Sequence, residues 1–331
     1  MSQVDWKVSP EAASVHTDAL VWDNHTCMPL RPDDSFLPEL QRFRDSGVDV
    51  ASVNVYFDNS IEWHDGVKVL AFMRRWILER PEDYALAVSV EDILDAKKDG
   101  KLAVHFDIEG MEALDGESSL VKTYYDLGVR WMLIAYNRNN RAGGGCMDDD
   151  TGLTDFGKQV IDEAARVGML ICCSHTGEQT CMEVFEQSQN PVLLSHSNPK
   201  SLCDHPRNVS DAVMVACSET GGIVGITGYG IFLANGDTSS DNIVRHIDYA
   251  VSLVGPEHVA LGMDYVFDKE ELKMFLKNKE IFPFDSTDRT MTSPEEMPAL
   301  TEAMLRFGYP EETIRGILGE NLLRVARQVW K

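Results

Sequence analysis

The feature that most constrains the fold of this sequence is a regular alternation of short apolar runs with amphipathic stretches. Eight of the runs have the composition of buried strands, and they occupy residues 18–27, 48–57, 101–110, 129–137, 168–175, 191–197, 221–229 and 258–265. Helical periodicity is found between them, for example at 37–47, 66–84, 156–168 and 240–255. Strands that alternate with helices predict an α/β fold whose strands pair in parallel through right-handed crossovers.

Eight strands of this kind favour a closed (β/α)₈ barrel of the TIM type. An open doubly wound sheet is the alternative, but it would normally carry a phosphate-binding loop after its first strand, and neither GxGxxG nor GxxxxGK[ST] occurs there. An amphipathic tail at 295–330, broken at Gly308-Tyr309-Pro310, predicts two extra C-terminal helices on the barrel exterior. Because no repeat, linker or low-complexity segment divides the chain, we predict a single domain over residues 1–331.

Composition limits the partners of the protein. The 331 residues are 44% hydrophobic, which excludes a disordered chain, and 54 acidic against 30 basic residues give a net charge of −24. Such a surface repels phosphate backbones and anionic lipid, so nucleic acid and membranes are not expected as partners. The seven cysteines are scattered without a CxxC pair, and neither a secretory signal nor a membrane-length apolar run is visible. We therefore expect a cytoplasmic enzyme with reduced thiols.

Potential metal ligands cluster where the apolar runs end. The polar residues at these positions are His25, Glu109, Tyr136, His175, His196 and Asp264. Because the strands of a parallel barrel all present their carboxyl ends on one face, these residues are expected to converge. Imidazole and carboxylate together suit Zn²⁺, which lowers the pKa of a bound water toward ~7 and polarises a scissile carbonyl. Asp264 is the candidate general base.

A structural role is the alternative for each of these residues taken singly. A lone histidine at a strand end is usually hydrogen-bonded and structural, whereas Glu109 inside an apolar run would be costly without a partner. Their joint occurrence at strand ends favours the metal site. The remaining histidines lie in helical or loop contexts and are predicted not to be ligands: His16, His64, His205, His246 and His258.

At these residues the sequence resembles the membrane (renal) dipeptidase family, the zinc dipeptidases of the amidohydrolase-like barrels. The resemblance extends from about residue 14 to residue 329. The matching motifs, in order, are DNHTC (23–27), DIEG (107–110), SHTGE (174–178), SHSNPKSLCDHPRNVSD (195–211), GMDY (262–265) and ILGENLLRV (317–325). Each motif alone is weak, but together they are specific.

The resemblance implies a role for each matching residue. Glu109 would bridge two zinc ions, His175 and His196 would hold one of them, and His25 would help to hold the other. Asp264 would be the acid/base residue. The family resemblance also implies a homodimer.

Arg207 in the HPRN segment matches the arginine that pairs with the terminal carboxylate of the substrate. That role suits a guanidinium, which binds carboxylate in a bidentate fashion. An ordinary surface salt bridge is the alternative for Arg207.

Two positions depart from the family pattern. Cys27 stands where the family has an aspartate ligand; a thiolate can bind zinc, or Cys27 can point away and leave that position weak. The sequence is therefore compatible with a site that binds one metal ion and with a site that binds two. Tyr136 stands where active dipeptidases carry a histidine that contacts the reacting carbonyl, and a phenol can still donate a hydrogen bond to an oxyanion.

The prediction is zinc-dependent hydrolysis of dipeptides, in which metal-activated water attacks the peptide carbonyl, Asp264 moves the proton and Arg207 binds the substrate carboxylate. Two alternatives remain. One is a metal-dependent hydrolase of another small amide or lactone, and the other is a barrel whose metal site has decayed into a small-molecule binding site. The polar segment 267–293 is a candidate lid or interface element.

Overall fold

The structure is a computed structural model that describes residues 6–283 and 290–331. Parallel strands form the centre of the protein. The strands are β1 (Trp22–Cys27), β2 (Val50–Phe57), β3 (Tyr84–Leu86), β4 (Leu102–Glu109), β5 (Val129–Leu133), β6 (Leu170–Cys172), β7 (Val192–Leu194), β8 (Ile223–Ile226), β9 (Val259–Leu261) and β10 (Tyr265–Val266). They pair in parallel in the order β10-β1-β2-β4-β5-β6-β7-β8-β9. The predicted α/β barrel architecture is confirmed.

The last strand of the barrel is interrupted. The sequence predicts one strand over 258–265, but the segment divides into β9, which pairs with β8, and β10, which pairs with β1. Asp264 between them has a left-handed φ of 59°. The amides of Gly262 and Asp264 bond to Ile226 O and His25 O, both at 3.0 Å, so the sheet still closes. The break turns Asp264 out of the strand conformation at the mouth of the barrel.

A short strand was missed by the sequence pattern. Helical periodicity predicts a helix over 66–84, but the helix ends at Leu78 and β3 follows at 84–86, paired with the first half of β4. Pro81 explains the early end of the helix, because proline lacks an amide hydrogen and clashes with the preceding turn. The isolated three-residue strand has too short a pattern to be distinguished from the helix before it.

Helices surround the barrel. Their bounds are α1 (Pro10–Asp18), α2 (Gln41–Asp45), α3 (Trp63–Leu78), α4 (Val90–Asp99), α5 (Leu120–Asp126), α6 (Asp155–Val167), α7 (Glu178–Gln187), α8 (Asp211–Glu219), α9 (Ser240–Val254), α10 (Lys269–Phe275), α11 (Met297–Phe307), α12 (Glu311–Arg315) and α13 (Asn321–Val329). Local sequence sets their ends. Ser89 and Asp92 form a capping box at the start of α4, and Gly100 at a φ of 70° ends it.

The C-terminal helices differ from the prediction in one respect. Helix α11 packs against α1 and α9 on the exterior, as expected, but α13 closes the amino end of the barrel. Its Leu322, Val325 and Val329 belong to the same apolar cluster as Trp22 and Trp131 inside the barrel. The physical reason is the open amino end, whose apolar interior needs a cover. The apolar face of α13 is wide enough to provide one.

The segment after β10 covers the other end of the barrel. Helix α10 and the residues up to 283 pack over the carboxyl ends of the strands, whereas residues 284–289 of the predicted lid or interface segment lie outside the described residues. Among the helices in the described ranges, none combines the length and the apolar character needed to cross a bilayer.

Candidate metal centre

Three side chains at the carboxyl end of the barrel point potential metal-ligand atoms toward one position. Glu109 ends β4, and His175 and His196 lie just beyond β6 and β7. His175 Nε2 lies 3.0 Å from His196 Nε2 and 3.6 Å from Glu109 Oε1, and His196 Nε2 lies 3.2 Å from the same oxygen. All three residues are buried. We call this group the first donor set.

The other ring nitrogens of these histidines are already bound. His175 Nδ1 donates to Asn137 Oδ1 at 2.8 Å, and His196 Nδ1 lies 2.8 Å from Ser195 Oγ. Burial lowers the pKa of both rings well below the ordinary value, with Arg207 and His25 adding to the effect. The two neutral rings therefore have at most one proton to share between their Nε2 atoms.

Glu109 Oε1 accepts no hydrogen bond from the described residues. A buried carboxylate oxygen without a partner is costly, and one cation at this point would satisfy all three atoms. Ligand atoms about 2.0–2.1 Å from a tetrahedral zinc would lie roughly 3.3 Å from one another. The observed separations of 3.0–3.6 Å fit that value.

A second donor set lies beside the first and comprises His25, Cys27 and Asp264. His25 Nε2 lies 3.5 Å from Cys27 Sγ and 3.6 Å from Asp264 Oδ1, and the sulfur lies 3.8 Å from the same carboxylate oxygen. Zinc–sulfur bonds are longer, so a nitrogen and a sulfur on one tetrahedral ion lie roughly 3.6 Å apart. The thiol of Cys27 therefore points into the centre and not away from it.

Glu109 joins the two sets. Its Oε1 faces His175 and His196, and its Oε2 lies 3.6 Å from His25 Nε2. The backbone after it requires glycine, because Gly110 has a φ of 118° and a Cβ there would lie 2.0 Å from Asp58 Cγ. This tight turn lets the strand end at the carboxylate. The two oxygens of one carboxylate thus serve two neighbouring positions.

Polar residues that the sequence reasoning missed hold His25 in place. Asp107 Oδ1 lies 3.3 Å from His25 Nδ1, which leaves Nε2 free to act as a donor atom. Ser52 Oγ and Asn54 Nδ2 in turn donate to the carboxylate of Asp107, at 2.6 and 3.0 Å. A carboxylate behind a ligating histidine is a recurring feature of metal sites. The signal was present, because Asp107 precedes Glu109 by two positions and so faces the same side of β4.

Strained backbone is concentrated at the centre. Asn137, His175 and Asp264 have φ values of 60°, 62° and 59°, although none is glycine. The left-handed region costs such residues free energy and is found mostly where function requires a fixed side-chain direction. Here it turns His175 and Asp264 inward at strand ends, and it places Asn137 behind His175.

Burial shifts the pKa values of the ionisable groups at the centre. Burial raises the pKa of Glu109 to about 8, although His25 opposes the shift. Burial also raises the pKa of the Cys27 thiol to about 12 and raises that of Asp264. For His25, burial opposes protonation, but Glu109 and Asp107 outweigh it and raise the pKa well above the ordinary value. A divalent cation among these groups would favour their charged forms.

A pocket opens from the centre toward solvent. Arg207 and Tyr136 line it together with Cys27, Glu109, His175 and Asp264. Arg207 is buried, donates through Nη2 to His196 O at 2.7 Å, and has no partner for Nε in the part of the chain that is described. The Tyr136 ring stacks on His175 with centroids 4.1 Å apart.

The structure thus brings together all eight residues that the sequence singled out: His25, Cys27, Glu109, Tyr136, His175, His196, Arg207 and Asp264. None of the five histidines predicted not to be ligands lies in either donor set. His16, for example, is bound by Thr301 Oγ1 and Ser46 O. Tyr136, which was singled out because it follows a predicted strand, lies beside the two donor sets and belongs to neither of them.

A closed parallel barrel with histidine and carboxylate donors at the carboxyl ends of its strands has the architecture of the amidohydrolase-type metalloenzymes. Residues 11–281 match the model of the membrane dipeptidase family, peptidase family M19. The chain belongs to this family. The predicted metallo-dipeptidase class of enzyme is thereby confirmed.

The chain is also similar to individual proteins along most of its length. The "uncharacterized protein in pqqA 5′ region" of Klebsiella pneumoniae is 31% identical over 280 residues, which cover 79% of this chain and 95% of that protein. Dipeptidase 3 of Rattus norvegicus is 28% identical over 355 residues, covering 98% of this chain and 68% of its own length. The crystal structure of an amidohydrolase from Pseudomonas aeruginosa is 28% identical with a TM-score of 0.89, covering 96% of this chain and 99% of its own.

Proposed function

We propose that this protein is a zinc-dependent dipeptidase that hydrolyses the peptide bond of dipeptides at the centre described above. The observation that carries the proposal is the convergence of His175 Nε2, His196 Nε2 and Glu109 Oε1 within 3.6 Å of one another. All three residues are buried, and Glu109 Oε1 accepts no hydrogen bond from the described residues. Membership of the membrane dipeptidase family supports the reaction class. Zinc is the metal that best suits imidazole, carboxylate and thiolate ligands together.

Two ions would be held. His175 and His196 would bind one, His25, Cys27 and Asp264 the other, and Glu109 would bridge them because its two oxygens face different sets. When bound, zinc would polarise the scissile carbonyl and lower the pKa of a water molecule toward ~7. The buried thiol of Cys27 would act as a ligand in its deprotonated form.

Asp264 is proposed to move the proton. Its amide donates to His25 O at 3.0 Å, which, with its left-handed φ, fixes the carboxylate toward the pocket. The carboxylate would accept the proton of the attacking water and deliver it to the leaving amine nitrogen.

Arg207 and Tyr136 would bind the substrate. The guanidinium of Arg207 is buried and its Nε has no partner among the described residues, so a substrate carboxylate would complete its hydrogen bonds. Burial, with Glu109 and Asp264 adding, raises the pKa of Tyr136 well above its ordinary value. Its phenol therefore keeps its proton and can donate to the oxygen of the reacting carbonyl.

Purified protein assayed against a dipeptide panel tests the proposal. We expect turnover that a chelator abolishes and added zinc restores, and an Asp264→Asn variant that retains the zinc held by Glu109, His175 and His196 but loses at least about a hundredfold in kcat. The absence of chelator-sensitive turnover on every dipeptide would contradict the proposal. A homodimer and a cytoplasmic location, expected from the sequence, remain predictions.

The second candidate is a metal-dependent hydrolase of another small amide or of a lactone. It is favoured by Cys27 in place of a carboxylate and by Tyr136 in place of a histidine, since both alter the reacting centre. An Arg207→Ala variant separates the candidates. Loss of turnover, by about a hundredfold or more, would support a substrate with a free carboxylate, whereas full activity would favour a substrate without one.

A further inference from the structure

One wall of the pocket is formed by aromatic rings. We call the group of Phe57, Tyr136, Phe275 and Phe282 the aromatic wall. The Phe57 ring lies 4.8 Å from that of Tyr136, 4.9 Å from that of Phe275 and 6.3 Å from that of Phe282. Aliphatic side chains extend the same surface, namely Met28, Leu30, Val266, Leu272 and Leu276.

Three polar side chains beside the aromatic wall, those of Glu271, Asn54 and Asn137, already have hydrogen-bond partners. Glu271 accepts from Leu30 N at 3.2 Å and from Arg31 Nη1 at 3.3 Å. Asn54 Nδ2 donates to Asp107 Oδ1 and to Tyr56 O, and the side chain of Asn137 is shared between His175 and Ile281 O. A charged or polar substrate side chain placed here would lose its hydration without gaining equivalent partners. An apolar side chain would gain contact area instead.

The position of the aromatic wall is fixed. Asn137 Nδ2 donates to Ile281 O at 3.2 Å, and Arg138 Nη2 donates to Lys279 O at 3.3 Å. These bonds attach the segment after α10 to the loop that carries Tyr136. The width of the apolar space is therefore set by the fold, as in a preformed binding pocket.

Strand order places the aromatic wall opposite Arg207. Around the barrel the strands follow in the order β1, β2, β4, β5, β6, β7, β8 and the β9–β10 segment, so β2 and β7 are diametrically opposed. Arg207 lies in the loop after β7, whereas Phe57 ends β2 and Phe275 follows β10. The two donor sets lie between them. A dipeptide with its carboxylate at Arg207 and its peptide bond at the donor sets directs its amino-terminal residue toward the aromatic wall.

We propose that the preferred substrates are dipeptides whose amino-terminal residue carries a large uncharged apolar side chain, such as phenylalanine or leucine, seated against the aromatic wall. This inference rests on the proposed dipeptidase function and narrows its substrate class. Phe275 is a specificity-determining residue, because its ring, at the end of α10, completes the aromatic wall beside Phe57 and takes no part in metal binding.

Steady-state kinetics on dipeptides with a common carboxyl-terminal alanine test the inference. We expect kcat/KM for Phe-Ala and Leu-Ala to exceed that for Ser-Ala and Asp-Ala by at least about tenfold. Phe275→Ala should reduce the ratio of Phe-Ala to Ala-Ala by about tenfold, mainly through KM. Met274→Ala is the matched control, because its side chain lies next in α10 but is 68% exposed. Equal rates across the series, or an unchanged ratio in Phe275→Ala, would overturn the inference.

Binding to the Asp264→Asn variant separates this inference from the proposed function. If the wild type hydrolyses no dipeptide, the dipeptidase proposal fails. Calorimetry with zinc-loaded Asp264→Asn still measures the affinity for each dipeptide, and so tests whether the aromatic wall binds apolar side chains. Phe-Ala binding about tenfold tighter than Ser-Ala, with the difference lost in Phe275→Ala, would support the apolar preference independently of turnover. Equal affinities, or no detectable binding of either dipeptide, would overturn it.

Discussion

The two ends of the barrel leave different kinds of polar group unsatisfied. At the amino end, the indole N–H groups of Trp22 and Trp330 lack hydrogen-bond partners within the described residues, but these neutral rings meet edge to face at 5.9 Å. At the carboxyl end the atoms without a partner among the described residues include a carboxylate oxygen of Glu109 and Nε of Arg207. Neutral N–H groups against aromatic faces are a modest cost, whereas a buried charge without a partner is a large one.

The amino end of the barrel therefore contributes mainly to stability, and the carboxyl end contributes mainly to binding. The amino end is sealed by α13, whose Asn321 donates to Pro256 O and Val259 O at 2.8 Å each. The carboxyl end keeps residues with left-handed backbone around a pocket, together with Glu109 Oε1 and Arg207 Nε, which have no hydrogen-bond partner among the described residues. Variants at the two ends should therefore separate stability from activity.

The largest expected effect is on activity at the carboxyl end. Glu109→Gln should lower kcat/KM on dipeptides by at least about a thousandfold, because the bridging carboxylate is lost. The metal-free variant should be as stable as metal-free wild type or more stable, since a buried unpaired charge is removed. Activity assays and urea unfolding of both metal-free proteins check this. A metal-free variant much less stable than wild type would show that Glu109 is structural.

A comparable change at the amino end should act on stability. Leu322→Ala removes a buried side chain of α13 and should lower the free energy of unfolding by about 3 kcal/mol, with kcat/KM at 25 °C within about twofold of wild type. Leu78→Ala, at a side chain that is 50% exposed, is the control and should cost less than about 0.5 kcal/mol. A large loss of activity in folded Leu322→Ala would contradict the prediction that the amino end affects stability and not activity.

Sequence patterns predicted the barrel and the donor residues for physical reasons. Buried parallel strands are continuous apolar runs, so they stand out, and Glu109, His175 and His196 are conspicuous because ionisable residues interrupt such runs. The position of α13 was not predictable, since its apolar face specifies burial but not a partner. Nor was the role of Asn137, whose left-handed backbone and shared amide depend on the folded loop.

The aspartate behind His25 was predictable in principle. Asp107, Ser52 and Asn54 are polar residues at alternating positions of strands that otherwise read as apolar, which places them on the inner face. Cys27 required the structure, because residue type alone does not say whether a thiol points inward. Its sulfur lies 3.5 Å from His25 Nε2.

A smaller effect is expected from the pH dependence of the amino end. Burial, with Arg130 adding, lowers the pKa of His105 from 6.5 to about 3, so the folded protein keeps this ring neutral while the unfolded chain takes up a proton near pH 6.5. His105 therefore contributes stability at higher pH that is lost as the pH falls from about 6.5 toward 3, by about 2 kcal/mol between pH 6.5 and 5. His105→Gln should flatten that part of the unfolding profile of the metal-free protein. His64→Gln, at an exposed histidine, should not.

The smallest expected effect comes from a single ligand of the second donor set. In cobalt-substituted protein, Cys27 should give a thiolate-to-cobalt absorption band in the near ultraviolet, and Cys27→Ser should lack it while losing activity on the order of tenfold. Cys146→Ser is the control, because Cys146 lies beside Asn137, outside both donor sets. A cobalt spectrum identical in wild type and Cys27→Ser would exclude the thiol as a ligand.

The most direct test of the central claim is the zinc content of the purified protein, measured by mass spectrometry after equilibration with zinc and removal of loosely bound ions. If the carboxyl end is unsatisfied because it is a two-metal centre, wild type should hold two zinc ions per chain, Cys27→Asp should also hold two, and Glu109→Gln should hold fewer than one. A wild type that retains no more zinc than Glu109→Gln would contradict the claim.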